Sequence, residues 1–405
     1  MPSKSRRTFL GMLATGTAAS IAGCSSSCPD GDPPDPSHIV GSNVGSGFET
    51  VPDSSWPSPR FDAANTSYAP VQMEATAPSI QWKAHVSTSS VTDADVDTGP
   101  VVVADETVVL TTPESVVSLS LSDGTEQWRR SLTPATVPSV VGIGEAPASP
   151  VLSNGRAFLA TANGVVALEI DDGTVVWRNT DSTGTGVPVV TRDALFVPTA
   201  DGITRFESDT GERQWTADAN GTRLAVANGS VVATDEQTVA LDAATSEVRW
   251  RQPEETSGYP VVADGTVYVT ESGELLGRSL ADGTEQWRID RGRSFEMPVV
   301  TPESVYAIEI PGEASSATFA FDRIDDGQPE PRWCSETSLG GAVTAATDDT
   351  VFTSQMDDGL TAFTTRFGEA VWRYSAEPEV GSLAVLDGGI VSVSPDGTVV
   401  AIGGE

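Results

Sequence analysis

Lysine is almost missing from this chain. Only Lys4 and Lys83 occur, so nearly all positive charge is arginine, and 23 basic residues face 57 acidic ones for a formal charge of -34. Phosphate backbones are bound by basic surfaces, so nucleic acid is excluded as a partner. Histidine is equally scarce: His38 and His85 are the only two, too few for an imidazole-based metal site. Three cysteines, Cys24, Cys28 and Cys334, do not make a disulfide framework, and their spacing fits no zinc site. No apolar run attains the roughly 20 residues of a membrane-spanning helix.

Valine, threonine, glycine and aspartate are abundant instead, and they suit strands and turns. A hydrophobic fraction of 38% provides a substantial core. The acids are spread over turns along the whole chain. Such a charge repels itself and opposes compaction. It is tolerable when salt screens it, since the Debye length falls from about 10 Å at 0.1 M to about 3 Å at 1 M. Dispersed acids with scarce lysine resemble the composition of extreme halophiles.

The N-terminus reads as an export signal. Ser5-Arg6-Arg7-Thr8-Phe9-Leu10 resembles the twin-arginine signal, with Arg6 and Arg7 as its pair. The apolar stretch behind it, Phe9 to Ala22, spans 14 residues, too short for a stable anchor. It ends in Ile21-Ala22-Gly23-Cys24, which resembles a lipobox. That resemblance implies a lipid on the sulfur of Cys24, which would tie the chain to a membrane. Residues 24–54 are rich in Ser, Pro, Gly and Asp and are expected to be a disordered tether. Cys28 within it reads as an incidental thiol or a second modification. The predicted division is residues 1–23 signal, 24–54 tether and 55–405 folded domain.

From Trp82 onward one phrase recurs: an apolar strand, a turn built on Asp, Ala, Thr or Gly, then a strand carrying Trp. Trp82, Trp128, Trp177, Trp215, Trp250, Trp287, Trp333 and Trp372 are spaced 46, 49, 38, 35, 37, 46 and 39 residues apart. A period near 40 with about four short strands per repeat marks a propeller blade. Asn154-Gly155 and Asn163-Gly164 are hairpin turns in the second repeat. Prolines such as Pro150, Pro188, Pro260 and Pro298 open the innermost strands, where a missing N–H is harmless.

After Trp372 the chain supplies three more strands, and Ser79 to Lys83 supplies a Trp strand with none before it. Together they complete an eighth blade. The prediction is an all-β, eight-bladed propeller of four-stranded antiparallel blades, closed by the N-terminal Trp strand joining the C-terminal strands. Each Trp buries on the order of 150–250 Å² in the wedge between blades, an upper bound of roughly 4–6 kcal/mol. Its role is packing rather than ligand stacking. The turn lacks glycine in blade four (Ala243 to Ser246) and is stretched in blade six (Asp322 to Pro331).

The repeat at Val165 to Trp177, V-x-A-L-[DE]-x-x-[DT]-G-x-x-x-W, resembles the pyrroloquinoline-quinone-like (PQQ-like) propeller family. So does the lead-in Trp56-Pro57-Ser58-Pro59-Arg60-Phe61-Asp62-Ala63-Ala64-Asn65-Thr66-Ser67, except that Phe61 and Ser67 stand where that pattern usually has Gly. The resemblance implies a structural strap across one ring face, with Trp56 plugged into it. A ligand role for Arg60 or Asp62 is the lesser alternative.

The family holds quinone-dependent alcohol dehydrogenases and a lipoprotein of the bacterial outer-membrane assembly machine. The dehydrogenases use an adjacent Cys–Cys pair, a calcium held by Glu, Asn and Asp, and a catalytic Asp. This chain has no Cys–Cys, and Cys334 follows the Trp of an outer strand. No catalytic, cofactor or metal residue is assigned, and the chain is not expected to be an enzyme. His85 beside Trp82 is expected at the surface.

Asn65, Asn220 and Asn228 fit the N-glycosylation pattern. Two longer loops, Thr133 to Ala148 and Pro311 to Ser316, are candidate binding segments. The expected function is a non-catalytic, membrane-tethered binding or scaffold protein on the outer face of the cytoplasmic membrane, with a protein or envelope component as partner. The alternative is a quinone-dependent dehydrogenase, or a small-ligand or sugar binder, using the central funnel.

Overall fold

A computed structural model describes residues 37–39, 44–73, 78–87, 98–113, 115–131, 149–292, 294–310, 316–323, 329–337, 342–355, 359–375 and 380–404. Every regular element among them is a β-strand, and the strands group into eight sheets. In blade one the strands Val102–Ala104, Thr107–Thr111, Ser115–Ser120 and Glu126–Ser131 lie side by side in chain order, innermost to outermost. Blades two to seven repeat this antiparallel meander, with small additions noted below.

Position in the blade decides what each strand is made of. The second and third strands are covered on both faces by neighbouring blades, so they read as continuous apolar runs rather than alternating ones. Thr107–Thr111 is buried throughout, whereas Glu126–Ser131 has no fully buried residue. The hairpins between first and second strands are tight. Asn154 and Gly155 both have positive φ, at 51° and 73°, as a type I′ turn requires.

The ring closes as the split repeat predicts. Ser79–His85 pairs antiparallel with Thr398–Gly403, Trp82 standing opposite Ala401. Blade eight therefore joins residues from both ends of the chain, and its seam is the largest core cluster, containing Trp56, Trp82, Trp372, Leu383, Ile390 and Ile402 among others.

Each blade also carries a feature that the repeat does not spell out. Between its third and fourth strands the register slips by one residue just before the Trp, in all eight blades. A bulge of this kind re-aims the side chain that follows it. It turns each indole toward the next blade.

The glycines show where the indoles land. A Cβ on Gly124, Gly173, Gly211, Gly283 or Gly368 would fall 2.4 to 2.8 Å from ring carbon Cε3 of Trp82, Trp128, Trp177, Trp250 or Trp333, the Trp of the preceding blade. The same five indoles donate Nε1–H to a carbonyl in that turn: Leu121, Ile170, Ser208, Leu280 and Thr365. In blade four Ser246 takes the left-handed conformation itself, at φ 66°. Trp215 of blade three, the indole before that turn, is the repeat Trp whose buried Nε1 finds no acceptor.

The expected disordered tether needs correction over its second half. Ser37–Ile39 adds to blade seven as a fifth strand, parallel to Ala370–Tyr374. Val44 then bridges Ile80 of blade eight, and the amides of Gly45 and Gly47 donate to Ile80 and Gln81. Phe48 donates its amide to Ser122 in blade one. Backbone hydrogen bonds to the outer strands hold this segment, and they need no apolar periodicity in the sequence. It forms a belt running round the rim over blades seven, eight and one.

Cys334 on the outer strand Pro331–Thr337 is disulfide-bonded, so the three cysteines do furnish one bridge. Cys24 and Cys28 lie outside the described residues, as do Arg6, Arg7 and most of both longer loops.

Candidate functional site

Residues 54–69 form the strap, and it runs round the mouth of the funnel rather than straight across it. Inner strands end at the axis with unpaired edge groups, and the strap carbonyls meet them one blade at a time. Val103 of blade one exchanges both bonds with Trp56, and Leu152 of blade two donates to Pro57. Val226 of blade four, Val262 of blade five, Val300 of blade six and Ala346 of blade seven donate to Ala63, Ala64, Thr66 and Ser67. Trp56 is fully buried, with Phe61 tilted on it at 5.2 Å.

Side chains of the strap complete the circuit. Asn65 donates its amide to Leu224 O at 2.6 Å and Pro260 O at 3.0 Å, tying blades four and five. That nitrogen is the one a glycan would need, and Asn65 is 6% exposed. The folded ring leaves no place for a sugar there, which corrects the expectation for Asn65. Asn220 and Asn228 are exposed.

Asp62 accepts the amides of Ala64 and Thr66 on Oδ1 and the Thr66 hydroxyl on Oδ2. Burial raises its carboxyl above the usual range, against the pull of those bonds. Arg60 donates Nη2–H to Pro298 O at 2.6 Å and Nε–H to Asn65 O at 3.2 Å. Its Nη1 faces Met297 Sδ. Burial lowers this guanidinium to about 10, so it stays cationic at neutral pH. Asp62 is thus committed to holding the strap, and Arg60 holds it with three of its five N–H groups.

The circuit passes over two blades: among the described residues neither Val385 of blade eight nor Val190 of blade three meets a strap carbonyl, and a cavity opens at blade three. Residues Ser58 to Asp62 loop past blade three, and no strap carbonyl meets Val190, whose place in the inner strand matches that of Leu152 and Val226. A cavity of about 300 Å³ opens there, lined by the loop, Val187 to Arg192, and Tyr259.

A larger groove of about 620 Å³ lies between blades six and seven, lined by Tyr68, Glu303, Arg332, Asp348 and Arg366 among others. Next to it Phe367 is 59% exposed, the guanidinium of Arg366 standing over its ring at 4.9 Å. Phe367 occupies the turn position held by Asp123, Asp172 and Asp282 in other blades, where the carboxylate accepts the amide two residues on. A residue that abandons local turn chemistry without a packing return points to function.

Other expected positions are placed simply. His85 is exposed at the end of its strand. Among the described residues no group of His, Cys, Asp or Glu is arranged to hold a metal ion. No residue pattern marks the groove or the gap, since both arise from which blades the strap and turns leave uncovered.

The chain matches a family model described as outer membrane protein assembly factor BamB over residues 113–238, 202–320 and 320–405. No curated protein matches it by sequence. Among solved structures it is similar to quinohemoprotein alcohol dehydrogenase from Comamonas testosteroni, at 14% identity and a TM-score of 0.68, over 86% of this chain and 80% of that one. It is similar to BamB from Moraxella catarrhalis at 16% identity and a TM-score of 0.59, over 81% of this chain and 100% of that one. A europium-containing methanol dehydrogenase matches at 14% identity and a TM-score of 0.60, over 87% and 89% of the two chains. At these identities the structural likeness is one of fold.

Proposed function

The chain belongs to the family described as outer membrane protein assembly factor BamB, and from that premise we propose that it is a non-catalytic binding or scaffold protein held at a membrane by an N-terminal lipid. The observation that carries this reading is the strap. It meets six of the eight inner strands with its own backbone and draws Arg60, Asp62 and Asn65 into structural bonds. The absence of an adjacent cysteine pair in the sequence argues the same way against a quinone dehydrogenase.

The binding face we assign is the groove between blades six and seven, with Phe367 and Arg366 as its anchor. Exposed aromatic and arginine side chains are the residue types that dominate protein interfaces. Export through a twin-arginine signal, lipid on Cys24 and residence on the outer face of the cytoplasmic membrane complete the proposal. The dispersed acids fit a salt-rich exterior. The assembly-factor analogy is carried only as far as a scaffold lipoprotein.

Cross-linking in native membranes at molar salt, followed by pull-down, tests this reading. A specific protein or envelope component is expected, lost in Phe367→Asp, and Cys24→Ser is expected to release the chain from the membrane. Retention of stoichiometric quinone with calcium, and alcohol turnover by that preparation, would sink it in favour of the dehydrogenase reading.

A further inference from the structure

The gap in the strap circuit is a specific kind of opening. In blades one, two and four to seven the inner-strand amide at this register ends on a strap carbonyl, and in blade three the amide of Val190 has none among the described residues. The cavity beside it places three further donors in one wall. Arg60 uses one N–H on each guanidinium nitrogen, leaving two of its five without a partner among the described residues. The hydroxyl of Tyr259 has no hydrogen-bond partner there, and Arg192 makes no side-chain bond.

Among the described residues no carboxylate sits within ion-pair distance of Arg60 or Arg192, although acids outnumber bases 57 to 23 in the chain. Asp62 is the acid nearest by sequence, and both its oxygens are taken by Ala64 and Thr66. Pro57, Pro59, Leu152, Val187 and Val189 give the cavity an apolar side, and Asp62 and several hydroxyl residues share the rest of the lining. Asp62 attracts Arg60 across the lining without an ion-pair contact, so a desolvated guanidinium with two unused N–H groups gains from an anion that bonds to it directly. The cavity volume of about 300 Å³ is at the lower end of small-molecule sites, which run from roughly 300 to 1,000 Å³.

We propose that this cavity binds a small organic carboxylate with an apolar body, the carboxylate taking bonds from Arg60, Tyr259 and the amide of Val190 and the body resting on Pro57, Pro59 and Val187. Arg192 at the exposed rim draws the anion in. The site goes beyond the scaffold reading, because its ligand is a small molecule and its walls are far in the ring from Phe367. It also needs no redox chemistry.

Titration calorimetry on the full ring at constant salt tests it, with benzoate and 4-methylbenzoate as probes and benzamide and 4-methylbenzamide as uncharged isosteres. The carboxylates are expected to bind at one site per chain, about tenfold or more tighter than their amides, as a charge-assisted pair requires. Tyr259→Phe and Arg192→Ala should each weaken benzoate by about threefold or more while the thermal midpoint stays unchanged, since neither side chain holds the strap. Arg60→Lys, which keeps the charge and loses the fork, serves as a further arm, read only if it folds. The proposal is overturned if neither carboxylate binds saturably, if the amides bind as well as the carboxylates, or if Tyr259→Phe and Arg192→Ala both leave benzoate affinity untouched. A loss of membrane partner in Phe367→Asp with benzoate binding intact separates this site from the scaffold face.

Discussion

Gly173 in the outer turn of blade two lies flush beneath the indole of Trp128 in blade one, so closely that a Cβ would fall 2.6 Å from ring carbon Cε3. The contact joins one blade to the next, and its geometry recurs at four other blade junctions. Gly155, in a hairpin of the same blade, has a similar φ of 73° but nothing within 4 Å of its Cβ position. The two glycines therefore separate backbone strain from interblade packing.

Gly155→Ala is expected to cost about 1–2 kcal/mol, the penalty of a left-handed alanine. Gly173→Ala should cost about 2–5 kcal/mol, because overpacking against the indole adds about 1–3. Guanidinium unfolding of both variants measures the difference. Equal losses would mean that the indole yields freely and does not set the spacing between blades.

Ser67 is fully buried at a positive φ of 53°, and its hydroxyl has no partner. Ser67→Gly relieves both the left-handed backbone and the orphaned hydroxyl, against a smaller entropic loss for glycine. We expect a gain on the order of 1–2 kcal/mol in unfolding free energy. A loss of stability would show that the hydroxyl or its Cβ packs productively in the strap.

Arg278 and Glu271 form a bidentate pair inside blade five, at 2.8 and 2.6 Å, with side chains only 6% and 3% exposed. The bond to Glu271 raises the Arg278 guanidinium against the effect of its burial. Glu271→Leu alone strands a buried cation and should cost about 3–5 kcal/mol. The double change Glu271→Leu with Arg278→Met should recover most of that, since a packed apolar pair of similar size substitutes well. A double variant as unstable as the single one would mean that the pair is needed for more than neutralising itself.

Cys334 is disulfide-bonded, and the chain's other cysteines are Cys24 and Cys28. A lipid on Cys24 would occupy that sulfur, leaving Cys28 as the partner. Peptide mapping of the exported protein without reductant should then find Cys28 joined to Cys334, and Cys28→Ser should lower stability by about 2–5 kcal/mol. A Cys334 thiol free to react with maleimide in the exported chain would refute the pairing.

What the amino-acid pattern reveals and what it hides divide along a physical line. Features carried by side chains were legible: the eight Trp strands, the glycine turns, and the split blade that joins Trp82 to the last strands. Phe61 and Ser67 are also instructive. They stand where the lead-in usually has Gly, and both adopt positive φ, 72° and 53°, the conformation that glycine accepts without strain.

Features carried by backbone bonds were not legible. The slip before each Trp, the belt of residues 37–39 and 44–48 and the circuit of the strap all use N–H and C=O groups that every residue has. For that reason a stretch rich in Ser, Pro and Gly read as free tether although part of it is a strand. The gap at Val190 is hidden twice over, since it is an interruption in a circuit that the sequence does not display.

The seam of blade eight has a consequence in time. Residues 79–85 are made early and have no partner strand until residues 398–403 exist. Throughout translation the growing chain carries an open sheet edge, and closing it brings together segments far apart in the sequence, which is intrinsically slow. During that wait the late strand of a second chain offers the same pairing as its own. Synthesis at high local concentration should therefore yield some interlinked rings, each closed by its neighbour's final strand.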